Sequence, residues 1–158
     1  MKHRILSVLL LVIAVTASGC GGNAAAAVSP TSTTEPPSTT EPATSAEDQA
    51  SLIAALEAEG ATVEVGEPIT QAFFGPQGTI LKVNGQDVQV FEYPNAEAME
   101  NEASQVAPDG GSIGTSMVTW VDTPHFYKSR RIIVLYVGSD ETVLGLLETV
   151  LGPQFAGR

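Results

Sequence analysis

The residues best equipped for chemistry lie between positions 112 and 131. His125 is the only histidine after His3, so catalysis by an imidazole would depend on this one side chain. Asp122 could orient it, and Ser112 or Ser116 could act as the nucleophile, which would complete a Ser-His-Asp triad. The spacing does not itself indicate a triad, because geometry and not residue inventory defines one. A hydrolase centred on His125 is therefore an open hypothesis.

The same region holds the one group of basic side chains in an otherwise acidic domain, interleaved with aromatic residues. Such a surface can bind an anionic group or the edge of a ligand. The alternative is a polar hairpin turn at Lys128-Ser129-Arg130 whose charges are solvated and whose aromatic neighbours pack inward. The candidate binding surface comprises Trp120, His125, Tyr127, Lys128, Arg130 and Arg131.

The chain shows no pattern that calls for a cofactor or a metal. The glycine-rich segment APDGGSIGTS, residues 107–116, matches neither the Walker motif nor the dinucleotide fingerprint. It also lacks the GxSxG pattern of a nucleophile elbow. Glu97, Glu100 and Glu102 lie close together, but no other type of metal ligand is near them in sequence, so we expect solvated carboxylates. We predict no cofactor, no metal site and no assigned catalytic residue.

A separate chemical feature is the single cysteine, Cys20, in the stretch VTASGCGG. Three basic residues, Lys2, His3 and Arg4, precede an apolar segment of 13 residues from Ile5 to Ala17. This is the layout of a secretory signal peptide. The segment is shorter than the roughly 20 residues that a helix needs to cross the hydrocarbon core. Residues 1–19 are therefore predicted to be a cleaved signal.

The quartet Ala17-Ser18-Gly19-Cys20 resembles the lipobox of bacterial lipoproteins. The resemblance implies cleavage before Cys20, with lipid attached to its sulfur and to the new amino terminus. It also implies export and anchoring to the outer side of the cytoplasmic membrane. A lone cysteine cannot form an internal disulfide, which agrees with this interpretation. The alternative is a spare thiol beside an ordinary cleavage site.

The mature chain would be strongly acidic. If Cys20 begins it, five basic residues remain against 18 acidic ones, a net charge of −13. Nucleic acid is therefore a poor partner, because phosphate backbones would be repelled. An anionic bilayer surface would repel the domain as well. We expect a membrane anchor through Cys20 and an unknown protein or small-molecule partner, with cationic partners favoured by charge.

Residues 20–46 combine the lipidated cysteine with a linker rich in Thr, Pro, Ser and Ala. This composition cannot bury enough apolar surface to offset the entropy of ordering, so the linker is predicted to be a disordered tether. Its span lies between roughly 30 Å as a flexible coil and roughly 80 Å as extended polyproline II. The tether can therefore hold a domain away from the lipid surface.

Residues 47–158 have the size of a single domain. Asn84-Gly85 between two β-rich runs predicts a two-residue hairpin, with Leu81 opposite Val88 and Lys82 opposite Asp87. Helical spacing predicts helices near residues 45–60, with Ser45 as the cap, 95–106 and 139–151. Residues 117–121 and the apolar run Ile132–Val137 are predicted strands, separated by a break at Asp122-Thr123-Pro124. This order predicts an α+β fold: a largely antiparallel sheet of about four to five strands with helices packed on one face, preceded by the tether.

The sequence therefore predicts a membrane-tethered, extracytoplasmic lipoprotein whose domain is a non-enzymatic binding or protein-interaction module. The alternative is a tethered cell-envelope hydrolase centred on His125. The two differ in one structural feature. A buried His125 without a cleft favours the module, whereas an exposed His125 within reach of Asp122 and a serine favours the hydrolase.

Overall fold

Alternating helix and strand signals give this chain a sheet with helices packed against it. The computed structural model describes residues 46–158. The predicted signal 1–19, Cys20 and the linker up to residue 45 lie outside the described residues. None of the helices within 46–158 is long and apolar enough to cross a membrane.

The described residues contain three helices and eight strands. The helices are α1 (Gln49–Ala58), α2 (Ala96–Ala103) and α3 (Glu141–Leu151). The strands are β1 (Val63–Ile69), β2 (Gly78–Val83), β3 (Gln86–Glu92), β4 (Ser112–Ile113), β5 (Ser116–Met117), β6 (Pro124–Ser129), β7 (Ile132–Val137) and β8 (Ala156–Gly157).

Six strands form one sheet in the order β1-β2-β3-β7-β6-β8, and every neighbouring pair is antiparallel. β4 and β5 form a separate two-stranded pair. The predicted α+β class with an antiparallel sheet is confirmed. The main sheet exceeds the expected four to five strands because the chain end adds the two-residue strand β8 along β6.

The central strand β7 is apolar on both of its faces, and each face has its own core. Val134 and Tyr136 belong to the core beneath α1 and α3. Ile133 and Leu135 point the other way, into the core beneath α2 and the loop that follows it. Helices therefore lie on both sides of the sheet, whereas the sequence suggested one side, because an apolar strand face must be covered on each side.

The β2–β3 hairpin has the predicted register. Leu81 lies opposite Val88, and Lys82 lies opposite Asp87. Asn84 and Gly85 have φ angles of 51° and 85°, as a two-residue hairpin loop requires. Lys82 Nζ lies 2.6 Å from Asp87 Oδ1 on the polar face of the hairpin. Turn chemistry and hydrophobic pattern thus select the same pairing.

The predicted strand at 117–121 is wrong. The partner of β7 is β6, which begins at Pro124, the residue expected to break the strand. Proline is tolerated there because it is the first residue of the strand, where its missing N–H costs no ladder bond. Residues 118–123 instead form an irregular connection between β5 and β6. This connection carries the candidate site.

Alanine substitutions at two glycines, one in β2 and one in α3, are predicted to change the free energy of unfolding in opposite directions. A Cβ at Gly78 would lie 2.6 Å from the Phe91 ring and 2.9 Å from the Val90 carbonyl oxygen, whereas one at Gly145 would meet nothing within 4 Å. Gly78→Ala is expected to lower the free energy of unfolding by about 1–3 kcal/mol through overpacking. Gly145→Ala is expected to raise it by about 0.5–1 kcal/mol through helix propensity. Urea denaturation measures both, and equal effects would contradict the packing described.

Candidate functional site

An open cleft of about 460 Å³ lies beside the connection between β5 and β6. Three parts of the chain form it: the turn before β4, the connection itself and the final residue, Arg158. The lining residues are Asp109, Gly111, Val118, Thr119, Trp120, Asp122, Thr123, Pro124 and Arg158. The cleft therefore combines an indole ring, two carboxylates, two threonines and one guanidinium.

Trp120 is held in place from two sides. Its indole N–H donates a 2.7 Å hydrogen bond to the carbonyl oxygen of Gly110. Its ring meets Phe126 and Phe73 edge-on, with centroids 5.7 Å and 5.9 Å away. Gly110 has a φ of 70°, and a Cβ there would lie 2.9 Å from the Phe126 ring. A glycine at 110 thus permits the close approach of the Phe126 ring, which in turn contacts the indole.

The two carboxylates of the cleft are each fixed by one backbone donor. Asp109 Oδ1 accepts a 2.9 Å hydrogen bond from the N–H of Gly111, and Asp122 Oδ1 accepts a 2.7 Å bond from that of Thr123. Within residues 46–158, neither carboxylate forms an ion pair. Their negative charge is therefore available to a ligand in the cleft.

Two large apolar side chains next to the cleft are almost fully exposed. Met117 is 91% exposed and Val121 is 99% exposed. They directly adjoin the lining residues Val118 and Trp120 in sequence. Exposed apolar side chains that flank the lining residues of a cleft are candidates for contact with a partner. We call Met117 and Val121 the apolar rim of the cleft.

Strand alternation divides the predicted binding surface. His125 and Tyr127 of β6 border a depression together with Leu144 and Glu148 of α3. Lys128 points to the other side of the sheet, where its ammonium pairs with Glu100 of α2. The same ammonium lies 5.1 Å from the centre of the Phe155 ring. Trp120 lies at the cleft, so the predicted residues do not form one continuous surface.

The two arginines of the predicted surface bind the start of α1. Arg131 Nη2 lies 3.1 Å from Asp48 Oδ2 and 3.0 Å from Glu92 Oε1. Arg130 Nε lies 3.9 Å from Glu47 Oε1. Hydrogen bonds from the backbone and side chain of Ser51, followed by the Arg131 guanidinium, lower the pKa of Asp48 to about 2. These arginines therefore join the β6–β7 turn to α1, and their positive charge is already balanced.

His125 is buried and both of its ring nitrogens have partners. It is 7% exposed. Nε2 donates to the Gly138 carbonyl oxygen at 3.1 Å, and Nδ1 lies 2.7 Å from the side-chain oxygen Oε1 of Gln154. The ring stacks on Tyr136 with centroids 6.1 Å apart. Among the described residues, no hydrogen bond joins it to Asp122 or to a serine, so the hypothetical triad is not assembled.

The depression beside His125 has a volume of about 220 Å³. Its lining residues are His125, Tyr127, Leu144, Glu148 and Gln154. Burial raises the pKa of Tyr127, and the nearby charge of Glu148 raises it further. The Tyr127 phenol therefore stays protonated at neutral pH, and the His125 ring, with a partner at each nitrogen, borders the same depression.

Of the charged residues of the cleft, sequence reasoning missed Asp109 and Arg158 as site residues. Asp109 lies in the Pro-Asp-Gly turn, which the sequence indicates only as a loop. Arg158 reaches the cleft because β8 pairs with β6. The backbone N–H of Arg158 donates a hydrogen bond to the Pro124 carbonyl oxygen at 3.2 Å. Local pattern gives no sign of a two-residue strand, so nothing in the sequence could bring residue 158 to residues 109 and 122.

Comparison of the chain with protein families, with curated proteins and with solved structures finds no match.

The structural role of His125 can be tested by removing its hydrogen bonds. His125→Leu is expected to lower the free energy of unfolding by about 1–3 kcal/mol, because the buried Gly138 carbonyl loses its donor. Asp122→Asn, at the exposed cleft, is the matched control and should change it by no more than about 0.5 kcal/mol. Thermal and urea unfolding measure both. Equal destabilisation by the two substitutions would contradict the structural role assigned to His125.

Proposed function

We propose that this chain is an exported lipoprotein, anchored through Cys20 on the outer side of the cytoplasmic membrane, and that its domain is a non-enzymatic binding module. The signal layout and the lipobox resemblance of residues 17–20 support the anchor. The composition of the linker supports a domain held away from the bilayer, where a partner can reach it.

The observation that carries the binding role is the cleft with its apolar rim. Folding buries most large apolar side chains of the domain, yet it leaves Met117 and Val121 91% and 99% exposed. Both belong to the same short segment as Trp120, which is fixed by a hydrogen bond and by two aromatic contacts. A rigid indole beside an exposed apolar rim is suited to recognition, because little side-chain freedom is lost on binding.

The hydrolase hypothesis receives no support from the geometry of His125. A general base needs a ring nitrogen that can accept a proton from the nucleophile. Nε2 of His125 donates to the Gly138 carbonyl, and Nδ1 is held by Gln154. The described surroundings suit a structural histidine, which is why we favour the binding module.

The lipid anchor predicts a change in cell fractionation. Cys20→Ser removes the sulfur that would carry the lipid, so most of the protein should move from the membrane fraction to the soluble fraction. Ser18→Thr, which leaves Cys20 in place, is the matched control and should remain membrane-bound. The measurement is immunoblotting of both fractions. Unchanged membrane association of Cys20→Ser would exclude this anchor.

The binding role predicts contacts at the apolar rim in intact cells. A photoreactive amino acid at Met117 of the full chain should cross-link to a distinct partner when cells are irradiated. The same group at Val65, an exposed apolar position on β1 that is 63% exposed, is the matched control and should give no such product. Identical products from both positions, or none from Met117, would contradict recognition at the rim.

A further inference from the structure

The charged residues of the cleft indicate which chemical class of partner it can bind. Four basic residues of the domain are bound to carboxylates elsewhere: Lys82, Lys128, Arg130 and Arg131. Asp109 and Asp122 lie in the cleft without an ion pair in the described part of the chain, and Arg158 is the one basic residue beside them. The whole chain has a formal net charge of −11 at pH 7. The net negative charge therefore favours cationic partners over anionic ones.

We propose that the cleft and its apolar rim bind a basic, partly apolar segment of a partner protein. A Lys or Arg side chain enters beside Trp120, where it meets the carboxylates of Asp109 and Asp122. Apolar neighbours in the segment cover Met117 and Val121. This inference rests on the proposed binding role and specifies the partner of that same site.

Other occupants account for fewer of these features. No group of three or more metal-ligating side chains occurs within residues 46–158, so two separated aspartates do not favour a metal ion. A small organic cation would fill the cleft but leave Met117 and Val121 exposed. A second copy of the chain carries the same negative charge and would be repelled. An extended basic segment covers the rim and also balances the carboxylates.

The fluorescence of Trp120 can report binding, because Trp120 is the single tryptophan of the chain and lines the cleft. The protein is the chain from residue 20 onward with Cys20→Ser, which retains every described residue. The probe is a short blocked peptide of alternating Lys and Leu. We expect a saturable change in tryptophan emission that weakens as ionic strength rises. Matched peptides with Glu in place of Lys, or Ser in place of Leu, should bind at least about tenfold more weakly.

Paired variants assign the binding to the cleft. Asp109→Asn with Asp122→Asn should raise the peptide Kd about tenfold, and Met117→Ser with Val121→Ser should have a similar effect. The charge control is Glu64→Gln with Glu67→Gln, which removes two exposed carboxylates from β1, and it should change Kd less than about threefold. Circular dichroism and thermal midpoints verify that each variant is folded.

Several outcomes would overturn the inference. Equal loss of affinity in the β1 control would show attraction to an acidic protein in general. Binding to phosphatidylglycerol vesicles that Met117→Ser abolishes would assign the rim to a membrane, and self-association abolished by Val121→Ser would assign it to a second copy. Cross-linking at Met117 in cells together with no peptide binding would disprove the basic segment while leaving the proposed binding role intact.

Discussion

The alternation of side chains along the β6–β7 hairpin is the constraint on which the rest of the structure depends. Successive residues of a strand point to opposite faces, and β7 is apolar at every position from Ile132 to Tyr136. Each face therefore needs a cover, which α1 and α3 provide on one side and α2 with its following loop on the other. The same alternation in β6 sends His125 and Tyr127 towards α3 and Lys128 towards α2.

The ion pairs of the hairpin turn follow from this arrangement. Arg131, at the turn between β6 and β7, lies between Glu92 at the end of β3 and Asp48 at the start of α1. Glu92 also accepts a hydrogen bond from the N–H of Gln49 at 3.2 Å. These charge-assisted bonds hold the first turn of α1 at the edge of its core. Residues that suggested an anion-binding surface thus hold the helix against the sheet.

The cleft lies beside a segment of the chain that belongs to no strand of the sheet. Residues 118–123 cross from the small β4–β5 pair to the start of β6 without strand partners of their own, apart from single hydrogen bonds such as Val118 N–H to Gly111 O at 3.1 Å. Phe126 and Phe73 hold Trp120 from the side of the core, so the indole is fixed while the adjoining Met117 and Val121 remain exposed. One short segment therefore carries both a fixed aromatic ring and exposed apolar side chains, which is the feature that the proposed binding role uses.

The sequence by itself determined the α+β class, the β2–β3 register and the helices, because turn chemistry at Asn84-Gly85 and apolar periodicity are local properties. It also determined the acidic charge, which depends only on composition, and it is the source of the signal and lipobox predictions. Only the tertiary structure decided which helix covers which face and that Pro124 begins a strand. It alone placed Asp109, Asp122 and Arg158 around Trp120, because β8 brings the chain end back to β6 through pairing that no local pattern specifies.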